Sequence, residues 1–310
     1  MRNAFADEIT RAAAADPRVV MLSGDIGNKL FDRFKDACPD RFVNCGVAEA
    51  NMIGVASGLA LSGMRPVAYT ITPFITTRVL EQIRLDVCYH DVPVVIVGVG
   101  SGLGYASLGP THHSCEDMAF LRALPGMTVL APADAAEVRG CLRAALAHPG
   151  PVYMRIGKKG EPAVHTEVPA ITIGRSLVLR EGTDVCLLGV GTLLPEVLAV
   201  AERLAGRGIS ACVVSAVSVK PLDEDRLRDA FDRFPLVATI EEHSLIGGFG
   251  AAVAEWLADR PAPGRGRLLR FGTQDHFIHE AGEVEHARHL NGLTVDAMTD
   301  RILGALAPAA

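Results

Sequence analysis

The stretch Val94-Val95-Ile96-Val97-Gly98-Val99 runs without a charged or polar side chain, behind Pro93 and ahead of Gly100. A run so short and so uniformly apolar is a strand covered on both faces, because a half-buried strand would alternate apolar and polar positions. It is too short to cross a bilayer. Similar short runs recur as Val19–Ser23, Phe42–Cys45, Pro66–Thr70, Val129–Pro132 and Val152–Arg155. Between them lie segments with helical spacing: Asn3–Ala15, Glu49–Ser62, Thr77–Val87 and Ala135–Ala147. This alternation predicts a mainly parallel sheet with helices on both faces. Ligands of such sheets sit at the carboxyl ends of the strands, so the loops after the strands are where chemistry is expected.

The polar stretch from Glu161 to Gly174, with Pro162 and Pro169, reads as a linker (161–174) between a first domain, 1–160, and a second, 175–310. The second half repeats the α/β theme: Val185–Gly191 and Val237–Ile240 as strands, Leu194–Ala205 and Gly247–Ala258 as helices, and Asp296–Leu306 closing the chain. A length of 310 residues fits two domains at about 150 residues each. The fold class expected is therefore α/β, with two doubly wound domains.

With 49% hydrophobic residues and a net charge of −6, the chain can fill two cores and has no basic footprint for nucleic acid or an anionic membrane. Its seven cysteines include no CxxC pair and read as buried, reduced thiols. The first residues carry Asp7 and Glu8 and no apolar core, unlike a signal peptide. A cytoplasmic location is the expectation.

Three loops carry candidate chemistry. In Gly46-Val47-Ala48-Glu49, the acid stands at a strand-to-helix junction among small and apolar residues. A carboxyl there is poorly solvated and suited to sharing a proton, although an acid at a helix start is also favoured simply by the helix dipole. In Leu108-Gly109-Pro110-Thr111-His112-His113, two histidines follow a glycine-rich loop, and no spaced cysteine or third histidine makes them a zinc site. In Tyr153-Met154-Arg155-Ile156-Gly157-Lys158, Arg155 and Lys158 stand where a strand opens into a glycine loop, a position for phosphate oxygens or for an ordinary solvated turn.

In this order and spacing, Gly46–Glu49, Leu108–His112, Pro125-Gly126-Met127 with Ala131-Pro132-Ala133-Asp134, and Glu241-Glu242-His243-Ser244-Leu245-Ile246-Gly247-Gly248-Phe249-Gly250 resemble the transketolase family over essentially the whole chain. The first domain is similar to the family's pyrimidine-binding domain and the second to its C-terminal domain. The family's diphosphate domain carries a Gly-Asp-Gly loop, and this sequence has none. The resemblance thus implies the small subunit of a split, two-component enzyme. A large partner subunit would hold the diphosphate and a divalent metal, magnesium or calcium. The assembly would be a heterodimer or an α2β2 heterotetramer, with self-association of this chain through both domains.

The resemblance further implies transfer of a two-carbon ketol unit from a ketose to an aldose, both sugar-phosphate-like, through a thiamine diphosphate carbanion. Glu49 matches the catalytic glutamate that meets the aminopyrimidine. Phe74, with Tyr69 in reserve, matches the aromatic packed on that ring. His112 matches a catalytic, substrate-contacting histidine. Arg155, Lys158, Lys29 and Arg2 fall where substrate phosphate is gripped. Two departures point to an unusual substrate. Leu108 stands where an aspartate usually reads a hydroxyl, and an unpaired hydroxyl there costs about 1–3 kcal/mol; Lys29 stands near a usual serine. The alternatives are the beta subunit of a 2-oxo acid dehydrogenase E1, a deoxyxylulose-phosphate-synthase-like acyloin former, and a catalytically silent scaffold subunit. Asp275, His276 and His279 read as structural.

Overall fold

The apolar runs form the middle of two sheets. The computed structural model describes residues 1–27, 29–261, 264–280 and 282–307. The first sheet contains β1 (Val19–Ser23), β2 (Phe42–Asn44), β3 (Arg65–Ile71), β4 (Val95–Val99), β5 (Thr128–Leu130) and β6 (Val152–Ile156). The second contains β7 (Leu177–Arg180), β8 (Val185–Gly189), β9 (Ala211–Ser215), β11 (Leu236–Ser244) and β12 (Arg267–Thr273); β10 (Ser218–Lys220) lies between β9 and β11 in the chain. The order in the first sheet is β10-β5-β6-β4-β3-β1-β2, and in the second β12-β11-β8-β9-β7. Strands β1 to β6 pair in parallel, as do β8, β9, β11 and β12, while β7 is antiparallel to β9. Every residue of β1, β4, β6, β8 and β9 is buried, as strands with helices on both faces require.

Two features depart from the sequence reading. The expected helix over Thr77–Val87 is instead a 3-10 turn, Thr77–Val79, a short α turn, Leu80–Gln82, and a π-helix, Ile83–Tyr89. Ser57 donates to the Asp86 carbonyl within that wide turn at 2.5 Å, giving it a partner outside the usual ladder. The second departure is β10. It follows β9 of the second domain but pairs antiparallel with β5 of the first, Ser218 opposite Leu130. Three residues are too few for a periodic signal, so only the topology reveals it.

The stretch 161–174 contains no helix or strand but is pinned to the first domain. One Asp134 carboxylate oxygen accepts from the backbone of Val164 and of His165, each at 2.8 Å. No helix among the described residues is long and apolar enough to cross a membrane.

Candidate active site

The ends of β2, β3, β4 and β6 bring the candidate residues to one edge of the first sheet, the carboxyl edge of parallel strands. After β2 the chain turns through Gly46 at φ +67°, where Asn44 Oδ1 accepts from the Gly46 amide at 2.9 Å, and enters the helix Glu49–Leu61. Glu49 is its first residue, so its carboxylate lies in the favourable field of the helix start. It is 3% exposed, yet Val47 beside it is 76% exposed, so the acid is sunk just below an open surface.

Its partner was not singled out from the sequence. Arg78 Nη1 lies 3.0 Å from Glu49 Oε2, and the Arg78 guanidinium stacks on Phe74, 4.7 Å from the ring centroid. A four-residue spacing between an aromatic and an arginine across helical turns was the signal available. The other side of Phe74 meets His112 edge-on at 5.3 Å between centroids, and His112 lies 5.9 Å from Tyr105. Lys158 rests over the Tyr105 ring at 4.4 Å. Glu49, Arg78, Phe74, His112, Tyr105 and Lys158 thus form one contiguous line of contacts drawn from four strand ends. Thr111 Oγ1 lies 2.9 Å from His112 Nδ1 and 3.4 Å from the Leu108 carbonyl. With the hydroxyl proton given to that carbonyl, Nδ1 carries the ring proton and Nε2 is left as an acceptor; the tautomer is assigned from this network.

The two histidines divide. His112 faces Phe74, whereas His113 approaches the Ala106 carbonyl at 3.4 Å and lines a cleft of about 230 Å³ between the domains, opposite Ser244 and Asp275–Ile278. Burial lowers the pKa of His113. Asp275, His276 and His279 are exposed in the loop after β12. Among the described residues no group of three His, Cys, Asp or Glu side chains is placed to hold a metal ion.

Two expectations are corrected. Tyr69 is fully buried, stacked on Phe5 at 5.2 Å and edge-on to Phe31 at 5.0 Å, so its ring is core and has no face for a ligand. Arg155 is not open to a phosphate: it is 3% exposed, with Nε 2.9 Å from Asp117 Oδ2 and Nη2 3.1 Å from the Ser114 carbonyl. It is tied into the protein by a buried ion pair. Arg2 is half-buried at the start of the helix Arg2–Ala15, and its charge opposes the burial that raises the pKa of Tyr105. Lys29 is exposed in the turn after β1, away from the contact line.

Residues 1–161 match the family model described as transketolase, pyrimidine binding domain, and residues 174–297 match that of transketolase, C-terminal domain. The chain belongs to the transketolase family. Among its transketolase relatives, the 6-deoxy-6-sulfo-D-fructose transketolase subunit SqwH of Clostridium sp. (strain MSTE9) is 39% identical over 95% of this chain and 90% of that protein. One of the two subunits of an apulose-4-phosphate transketolase from Actinobacillus succinogenes is 36% identical over 86% of this chain and 85% of that protein. A solved structure described as a split gene transketolase, inactive beta4 tetramer, has a TM-score of 0.88 and 35% identity, covering 98% of this chain and 97% of that one.

The residues present fit one end of thiamine diphosphate. Glu49 offers a sunken carboxylate and Phe74 a half-buried ring beside it, as an aminopyrimidine requires. For the diphosphate and its metal, the sequence has no Gly-Asp-Gly loop.

Proposed function

We propose that this chain is the small, glutamate-bearing subunit of a split transketolase, moving a two-carbon ketol unit from a ketose to an aldose once a large subunit supplies the diphosphate-binding half of the site. The observation that carries the reading is Glu49: buried, charge-paired to Arg78, and opening beside Phe74 and His112 at the sheet edge. Thiamine diphosphate, when bound, supplies the carbon that takes up and passes on the ketol unit. Glu49 holds the proton at the aminopyrimidine ring nitrogen, and Arg78 orients its carboxylate. Phe74 gives the ring a flat apolar seat. His112 Nε2 takes a substrate hydroxyl, and Lys158 meets the anionic tail of the substrate. Magnesium or calcium belongs to the partner's half of the site.

The substrate is a sugar with an anionic end, and Leu108 points away from the ordinary pentose phosphates. It is 51% exposed at the start of the His112 loop and has no side-chain acceptor for a hydroxyl. By their names, two relatives act on 6-deoxy-6-sulfo-D-fructose and apulose 4-phosphate, which suits a chain adapted to a modified ketose. Assembly is an α2β2 heterotetramer, with this chain pairing to itself; the beta4 description of a similar chain supports self-association. The exposed residues Val47, Val55, Leu61, Leu85 and Tyr89 provide apolar surface for such contacts. The protein works in the cytoplasm.

Calorimetry with thiamine diphosphate and magnesium tests the reading, on this chain alone and mixed with its large subunit. Binding only in the mixture, with transfer to an aldose phosphate, is the expected result. Tight metal-dependent binding by this chain alone overturns it.

A further inference from the structure

We infer that Glu242, a residue of the C-terminal domain, positions the His112 loop for ketol transfer and so gives that domain a part in the reaction. The inference rests on the functional reading above. The segment Gly102–Ser114 is a closed loop: Gly102 N donates to Ser114 Oγ at 3.1 Å, and Ser114 N donates to the Gly102 carbonyl at 2.9 Å. Tyr105, Leu108 and His112 all lie inside it. Its backbone takes positive φ at Gly102 (+59°) and Gly109 (+74°), so its shape is not one a chain adopts without support.

The support comes from the other domain, at both ends. At the entrance, Glu242 Oε2 accepts from the Leu103 amide at 3.1 Å. Glu242 is 2% exposed, and a Cβ added to Gly102 would fall 2.6 Å from the Glu242 Cβ, so the contact is close as well as polar. The second carboxylate oxygen meets Arg288, which also pairs with Glu196, so the acceptor is itself held in place. At the exit, Ser244 N donates to the Cys115 carbonyl at 2.7 Å, and Arg155 Nη2 spans the Ser114 and Glu242 carbonyls at 3.1 and 3.4 Å. Both clamps descend from one strand end, the last residues of β11, beyond its paired stretch with β8. His112 sits between them with its ring against Phe74. A shift of the loop entrance therefore moves the ring relative to Glu49 and Phe74. Such misplacement, at about 1 Å, can cost on the order of 100-fold in rate. Glu242 touches no reacting atom; it is a positioning residue.

The test compares E242A and E242Q in the full chain. The first readout needs no partner: amide hydrogen exchange across residues 103–114, set against β4 and β6 as internal controls. The second is steady-state ketol transfer by the complex of this chain with its large subunit, loaded with thiamine diphosphate and magnesium. E242A is expected to raise exchange in the loop alone. It is also expected to lower kcat by roughly 10- to 100-fold, with KM nearly unmoved. E242Q keeps an oxygen for the Leu103 amide and is expected to recover most of the protection and rate. Unchanged exchange, or exchange rising across β4 and β6 as well, overturns the inference. So does a glutamine that behaves like alanine. If E242A does not fold, E242D replaces it, since a carboxylate one methylene shorter cannot reach both Arg288 and Leu103. An inactive wild-type complex would defeat the functional reading, while loop exchange would still decide whether Glu242 is the clamp.

Discussion

Arg78 and Glu49 form an ion pair in which one partner is buried and the other is half in water: the carboxylate side chain is 2% exposed and the guanidinium 51%. A half-exposed pair contributes about 1 kcal/mol or less to stability. Its value lies in aiming the carboxylate. Arg78→Ala is therefore expected to leave thermal stability nearly unchanged and to lower transfer activity of the assembled enzyme, by about tenfold if the lost orientation is worth roughly 1.4 kcal/mol. Parallel thermal melts and initial rates check it. A large drop in melting temperature with normal rates would count against the assignment.

Glu49→Gln keeps the shape and one acceptor but cannot share a proton. The rate is expected to fall by about 10²- to 10⁴-fold, with cofactor still bound by the complex. Rates and calorimetry on the same preparation separate the two.

Arg155→Met leaves Asp117 buried beside Tyr153 without its cation. Removing one member of a buried pair costs about 3–5 kcal/mol, so denaturant unfolding should show a loss of that order. A change confined to KM for a phosphorylated sugar, with normal stability, would restore the phosphate role denied to Arg155 above. Lys158→Met is expected to behave in the opposite way, raising KM with little effect on stability.

Much of this was legible in the sequence because it rests on local pattern. The buried strands announce themselves as apolar runs, and Glu49, Phe74, His112 and Lys158 each follow a strand end. Tyr69 and Arg155 were misassigned for a shared reason: both lie within strands, β3 and β6, where a side chain alternates between faces and the sequence alone does not say what covers each face. Tyr69 falls among Phe5 and Phe31, and Arg155 meets Asp117, far away in sequence. The Glu242–Leu103 bond joins residues 139 positions apart, and no spacing rule reaches so far.

His243 is fully buried, and burial lowers its pKa to about 4. It is neutral in the fold: Nε2 accepts from the Ala119 amide at 3.3 Å, and Nδ1 faces the Ser244 carbonyl at 2.9 Å. Unfolded, a histidine takes up a proton near pH 6.5. The unfolded state thus binds more protons between about pH 6.5 and 4, and stability falls as pH drops through that window. Glu241, raised to about 7 by burial, acts with opposite sign, its contribution falling as pH rises from the ordinary glutamate value towards 7. Substituting His243→Gln removes the first effect and leaves the second. The wild-type advantage over the variant is expected to shrink by roughly 3 kcal/mol between pH 6.5 and 4, read from urea titrations at each pH.

Strand β10 has a consequence for how the two halves depend on each other. A protein cut after residue 160 would lose the three residues that close the β5 side of its first sheet, leaving an open row of amides and carbonyls. Open edges invite pairing with other chains. The halves are therefore not interchangeable modules strung in series. Each is incomplete without the other, and a swap of C-terminal domains between relatives must carry over a matching seam as well as a matching core.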